Sequence, residues 1–500
     1  MKTKIVSLLI FALFATFPIA VISETNLLTV YSSRITEYTL KNGIHFILLE
    51  DHTSPVVSFH VHAKVGSVDE SKGETGISHL IEHLAFNGTP NIGTVDWKKE
   101  KEILRQADMA YEQFKQAEKT GKDENMINSL RKEFHSLNGK AASLSRQNEF
   151  GKILDMHGAV GPNAYTSYDM TAYWVELPSN KTELWASLES DRLFNPVFRG
   201  FYEELEVVKE ERRMRVDNSP WGRLMEEFSG VAYRIHPYRN PVIGYSEDIE
   251  NMTRSGIRDF YTRHYVPSNI IVTVAGDIYP DKFLQLAEKY FGNIPPGKNP
   301  AGTTGKEPAD SFEKRVIVRL DSQPILLIGY KIQNISHPDI PALEICSEIL
   351  AGGRTSRLYR KLVKEERTAV STGAWCWAPR YPGLFYLWAV ASEDADNGRI
   401  EKSIFDEIEK LKEGGIKAEE ISGARARLRM EFLSSLKSRL GMAREIAWYK
   451  AVTGDWRNLF RYAESLENVT EEDIVEVVKK YFKEDNRTVG MVEPRPKDSR

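Results

Sequence analysis

The sequence predicts an α+β chain of two similar domains, each a mostly antiparallel sheet packed by helices, with a helical hairpin inserted in the first. Three observations predict it. Thr253, Ile257, Tyr265, Asn269 and Val272 recur as Thr470, Ile474, Phe482, Asn486 and Val489, every pair at the same offset of 217. In both copies a Thr in N-cap position opens a helix that ends at an aromatic residue and turns through Asn into an apolar strand, at 270–275 and at 488–492. Between the copies, residues 292–308 are rich in Pro and Gly and almost free of apolar side chains, the composition of a linker. Elsewhere, strand signals come in pairs and are followed by helices without steady βαβ alternation, which points to sheet and helix layers. The expected boundaries are a leader at 1–23, an N-terminal domain at 24–291 with its insertion at 96–148, a linker at 292–312 and a homologous C-terminal domain at 313–500.

The elements follow in order. Lys2 and Lys4 precede an apolar run at 5–22, and Val21 and Ser23 suit the −3 and −1 positions of a secretory cleavage site. This predicts a secreted or periplasmic protein. An uncleaved anchor is the alternative, since the run approaches membrane-spanning length. Residues 35–40 and 44–49 flank Lys41-Asn42-Gly43, an Asn-Gly hairpin signal, and 56–65 reads as a third strand. Residues 96–148 are highly charged and carry two apolar stripes at helical spacing, Ile103 to Phe114 and Ile127 to Leu144, with Gly121 between them. They read as a helical hairpin serving either as a solvated strut or as an arm for a partner or substrate. Residues 315–320 and 325–332 open the second half as the first half opens.

Composition narrows the function classes. The 500 residues exceed the usual size of one core. The 41% hydrophobic and 28% charged fractions are those of an ordinary globular protein, and a net charge of −4 with no dominant basic stripe argues against a nucleic-acid binder. Cys346 and Cys376 are the two cysteines. They allow one disulfide or two thiols, and form no Cys-x-x-Cys pair.

The chemistry concentrates at His79-Leu80-Ile81-Glu82-His83. On a helix, i and i+4 stand one above the other and i+3 lies beside them, so two imidazoles and a carboxylate face one point. Neutral imidazoles suit zinc, and the adjacent carboxylate suits proton transfer. Zinc needs a third ligand, and the acidic run 203–211 places Glu204 and Glu211 seven apart, on one helical face.

Three segments in this order, 76–89 around the H-x-x-E-H string, Asn163-Ala164-Tyr165-Thr166-Ser167, and 204–211, resemble the inverzincin family of pitrilysin, insulysin and mitochondrial processing peptidase. The resemblance runs from about residue 30 to 495. It implies a zinc-dependent endopeptidase acting on peptides or unfolded segments. It assigns zinc to His79, His83 and Glu211, general-base work to Glu82, and orientation of a ligand to Glu204. It further implies that Asn163, Ala164, Tyr165 and Thr166 form an edge strand that a substrate backbone extends. One departure stands out. Active relatives carry an Arg–Tyr pair seven residues apart in a later domain, and alignment through Ser356-Arg357-Leu358 puts Val363 and Val370 there. Valine has no donor for a developing oxyanion. The expectation is therefore the metal-binding subunit of a heterodimer whose homologous partner supplies the Arg–Tyr pair, or else a homodimer. A non-catalytic assembly subunit of the same fold is the alternative.

Overall fold

The computed structural model of the protein describes residues 24–300, 302, 305–393 and 395–495. The leader expected at 1–23 lies outside the described residues. Among those described, no helix is long and apolar enough to cross a membrane.

Two sheets organise the chain. The first contains β1 (Ile35–Thr39), β2 (His45–Glu50), β3 (Val56–Ala63), β4 (Val160–Thr166), β5 (Thr171–Pro178) and β6 (Ile270–Gly276). The second contains β7 (Lys314–Arg319), β8 (Ile325–Lys331), β9 (Ala369–Trp377), β10 (Leu384–Ala391) and β11 (Arg487–Glu493). Their orders are β1-β2-β6-β3-β5-β4 and β7-β11-β8-β10-β9. Removing β1 superimposes one order on the other. Pairing is antiparallel except β2 with β6 and β11 with β7. The Asn-Gly turn joins β1 to β2 as expected, with Gly43 at φ +106°. The second half departs from expectation: β7 and β8 are not a hairpin, because β11 enters between them as β6 enters between β2 and β3.

The repeat has a structural basis. Thr253 and Thr470 each accept a hydrogen bond from the backbone N–H three residues on, at 3.1 and 3.2 Å, and so open their helices. Asn269 donates to the carbonyls of His264 and Lys64, and Asn486 donates to those of Tyr481 and Lys331. In each half the same Asn therefore locks the end of a helix to the end of the neighbouring strand.

The halves exchange helices. Pro220–Ala232, from the first half, covers the second sheet: Leu224, Phe228 and Ala232 pack against Ile325, Leu327, Tyr386 and Val492. Phe228 nests over Gly329 and Gly490, where an added Cβ would come within 2.7 and 2.8 Å of its ring. Reciprocally, Arg439–Thr453 covers the first sheet: Met442, Ala443, Ile446 and Tyr449 pack against Ile47, Leu49, Ile271 and Ala275. Ser219 and Ser438 cap the two helices alike, each accepting from a glycine N–H three residues later.

The insertion folds as a helical hairpin, Trp97–Lys119 and Glu124–Ser143, with Asp96 and Asp123 as N-caps. It is more than a solvated strut. Tyr111 and Phe134 close on the ring of Tyr202, at centroid distances of 4.5 and 4.7 Å, and Tyr202 donates to Asp108 at 2.9 Å. Tyr202 belongs to the acidic helix Phe201–Arg212, so the hairpin braces that helix from outside. Arg199 fixes the hairpin's base. It pairs in bidentate fashion with the fully buried Glu100 and donates to the carbonyls of Asn87, Thr89 and Ile92. Arg199→Met leaves the Glu100 carboxylate buried without a partner. We expect a loss of about 3–5 kcal/mol in urea-unfolding free energy; a loss below about 1 kcal/mol contradicts this account.

Candidate metal centre

The H-x-x-E-H string forms the helix Ile77–Leu84. Its start is tightly held. Glu70 accepts from the N–H groups of Gly76 and Ser78 at 2.8 and 2.9 Å, satisfying two first-turn donors. Burial outweighs these bonds and lifts the Glu70 carboxyl to about 8. Gly76 sits at φ +89°, and a Cβ there would lie 2.5 Å from the Ile243 carbonyl, so the entry turn requires glycine. Leu80, Ile81 and Leu84 bury the opposite face.

The acidic helix crosses this face and brings Glu211 to both histidines. Its Oε2 lies 3.6 Å from His79 Nε2 and 3.4 Å from His83 Nε2, and the three ligating atoms fall within 4.8 Å of one another. Ligand distances of about 2.0–2.2 Å give a tetrahedral edge of roughly 3.3–3.6 Å. The two Glu211 separations are close to that, and two imidazole nitrogens with one carboxylate oxygen are an ordinary zinc donor set. The residues thus fit the metal their types suggest.

Charge and hydrogen bonding differ between the two rings. Burial pulls His79 down to about 4, against the pull of Glu211, so its ring is neutral. Bonds to Glu204 and Glu211 push His83 up to about 9. Glu204 Oε2 faces His83 Nδ1 at 3.3 Å, which leaves Nε2 as the lone-pair nitrogen whenever the ring is neutral. Asn87 holds Glu204 in turn, donating to Oε1 at 3.2 Å. His79 Nδ1 is buried and has no such partner. Glu82 lies alongside, and burial raises its carboxyl above the ordinary value. Thr166 opposes this by donating to Oε2 at 2.6 Å.

β4 is one of the two edge strands of the first sheet, at the end opposite β1. Pro162 is tolerated there because an edge needs no donor on its outer side, and a bulge separates Val160 from Asn163. Asn163, Ala164, Tyr165 and Thr166 line a cleft of about 770 Å³ together with His79, Glu82, His83, Phe86, Glu211, Arg215, Val242 and Ile243. A larger groove of about 1580 Å³, behind the hairpin, contains none of the predicted site residues. Glu204 lies just outside the cleft, behind His83. Sequence reasoning missed Glu70, Arg215 and the cleft walls Val242 and Ile243. Arg215 had a readable signal, its i+4 spacing from Glu211; Glu70 had none. Of the predicted oxyanion positions, Val363 packs against the second core and Val370 is 53% exposed on β9. Cys346 and Cys376 are free thiols.

Residues 45–110 match the family model described as Insulinase (Peptidase family M16), and residues 251–428 match that described as Peptidase M16 inactive domain. Zinc protease PqqE of Helicobacter pylori is 29% identical over 464 residues, covering 91% of this chain and 92% of that protein. An uncharacterized zinc protease of Rickettsia felis is 23% identical, covering 89% and 94%. Among solved structures, a protease from Helicobacter pylori is similar with a TM-score of 0.77 at 28% identity, covering 92% of this chain and 99% of that one. The periplasmic protease PqqL from Escherichia coli reaches 0.68 at 16% identity, covering 92% of this chain and 47% of that one. The latter likeness is one of fold alone.

Proposed function

The chain belongs to the M16 peptidase family, and on that footing we propose that it is a zinc-dependent endopeptidase whose metal is held by His79, His83 and Glu211. The observation that carries this reading is the convergence of three donor atoms from two helices beside Glu82 and an open strand edge. A bound zinc ion would polarise the scissile carbonyl and acidify water. The chain's own residues do the rest. Glu82 accepts a proton at the oxygen that Thr166 leaves free and returns it to the leaving amine. Glu204 and Asn87 keep the His83 ring aimed. The outer edge of β4 takes an extended backbone as an added strand, a mode that reads main chain more than side chain and fits peptides or unfolded segments.

The match described as inactive covers 251–428, which takes in the last helices and strand of the first half but contains neither the histidine string nor Glu211. That description, with Val363 and Val370, supports pairing with a homologous chain that contributes an Arg–Tyr pair, as the metal-binding subunit of a heterodimer. It also supports the second reading, a non-catalytic subunit. The leader supports a secreted or periplasmic location.

The test is purification, zinc analysis and digestion of an unstructured peptide, with and without a homologous Arg–Tyr chain. We expect a single zinc per chain, removed by chelation and lost in Glu211→Ala, and turnover only with the partner present. Full turnover by the pure monomer rejects the heterodimer and keeps the metal assignment. Stoichiometric zinc in Glu211→Ala rejects the ligand set.

A further inference from the structure

We infer that Arg215 is a positioning residue for the metal centre: its guanidinium holds one oxygen of Glu211 so that the other faces the two histidines. The inference rests on the ligand set proposed above and goes beyond it by naming what aims the third ligand. Arg215 Nη1 lies 2.8 Å from Glu211 Oε1, while Oε2 of the same carboxylate is the atom turned toward His79 and His83. A carboxylate with one oxygen engaged this way offers the metal a single oxygen in a fixed direction.

An exposed i,i+4 ion pair is ordinarily worth little, and the Arg215 side chain is 71% exposed. What sets this pair apart is how its backbone is held. The acidic helix passes at Arg213 into a π-helical turn, Arg213–Asp217. Arg212 clamps the start of that turn, forming a bidentate pair with Glu226 at 2.7 and 3.0 Å and donating to the Gly244 carbonyl at 2.6 Å. From the other side, Gly222 lies directly on Arg215. A Cβ at Gly222 would come within 2.0 Å of the Arg215 carbonyl. An exposed guanidinium is thus presented from a locked backbone into the wall of the cleft. Arg213, two residues earlier, provides the natural comparison. It makes an equally short exposed pair, 2.7 Å to Glu210, with a carboxylate that faces no histidine.

Two physical effects oppose each other here, and the sign of the result separates them. Removing a cation from beside a metal relieves repulsion and tightens binding. Removing the group that aims a ligand weakens it, typically by 10–100-fold. Zinc affinity is measured by chelator competition on the full chain, with thermal unfolding of the metal-free protein as a check on folding. We expect Arg215→Gln to weaken zinc binding by about tenfold or more. We expect Arg215→Lys, which keeps a charged donor, to recover most of that loss, and Arg213→Gln to match the parent chain. Binding by Arg215→Gln that is unchanged or tighter overturns the inference, because the pair is then a surface contact or a repulsive one. A parent chain that binds no zinc sinks the ligand assignment itself, a failure distinct from equal affinities across working variants.

Discussion

Glu82→Gln will lower kcat/KM for peptide hydrolysis by roughly 10²–10⁴-fold, the range for removing a general acid–base group, while zinc content stays that of the parent chain. The two readouts separate because Glu82 is not among the three converging donors. Glutamine keeps the size of the side chain and a hydrogen-bonding partner for Thr166, so the helix and its histidines have no cause to move. What disappears is the acceptor for a proton. Burial holds the Glu82 carboxyl above its ordinary pKa, and a carboxyl accepts a proton only when ionised. Activity of the parent therefore falls as pH drops through that raised value, and the residual activity of the variant lacks this acid limb. Cleavage by Glu82→Gln at the parent's rate would remove Glu82 from the chemistry and leave Glu204 as the next carboxylate to test.

Much of the fold and of the site is legible in the sequence, and the reasons are local. The strands read at 35–40, 44–49 and 56–65 lie within two residues of β1, β2 and β3 because alternation and an Asn-Gly turn are short-range signals. Helical spacing alone put His79, Glu82 and His83 on one face, and Glu204 and Glu211 on another. That the two faces meet at 3.4 Å is a tertiary fact: the acidic run offers Glu204 and Glu211 as candidates for a third ligand, and the family resemblance singles out Glu211. Three features escaped. The hairpin's charge points to a solvated strut, yet its apolar stripes at Tyr111 and Phe134 grip Tyr202, because a charged composition says nothing about what the buried stripe touches. The order β7-β11-β8 escaped because a strand arriving from the end of the chain leaves no mark on the two it separates. The exchange of helices escaped for the same reason. Periodicity shows that Met442 and Ile446 share an apolar face, but does not show which sheet the face meets.

The exchange makes a second large prediction: neither half will fold without the other, although the linker suggests two independent domains. Residues 24–291 alone keep the metal-site residues but lose the cover over Ile47, Leu49, Ile271 and Ala275. They also uncover β3, whose His60 and His62 are fully buried, stacked at 4.4 Å and without polar partners. Residues 305–495 alone expose Ile325, Leu327 and Tyr386, and leave Gly329 and Gly490 as a notch with no Phe228 to fill it. Burial of Met442 and Ile446 contributes roughly 1.5–3 kcal/mol each, against a total stability of about 5–15 kcal/mol for a folded domain. Loss of one whole helix face is therefore decisive. A polar anchor reinforces the seam, since Glu37 of β1 accepts from Trp456, Lys450 and Arg457 at 2.9–3.0 Å. Burial works against the Glu37 charge, but these bonds hold its pKa at about 2. With the folded value below the ordinary 4.5, this anchor stabilises fully above that pH and is lost as the pH falls toward 2. Each half expressed alone should aggregate or show no cooperative thermal transition. The two halves produced together, as a chain cleaved after Gly302, should purify as one particle with a single transition that weakens in that acid range. A soluble, cooperatively melting 24–291 fragment would show that the exchanged helix is an accessory to the first domain and not part of its core.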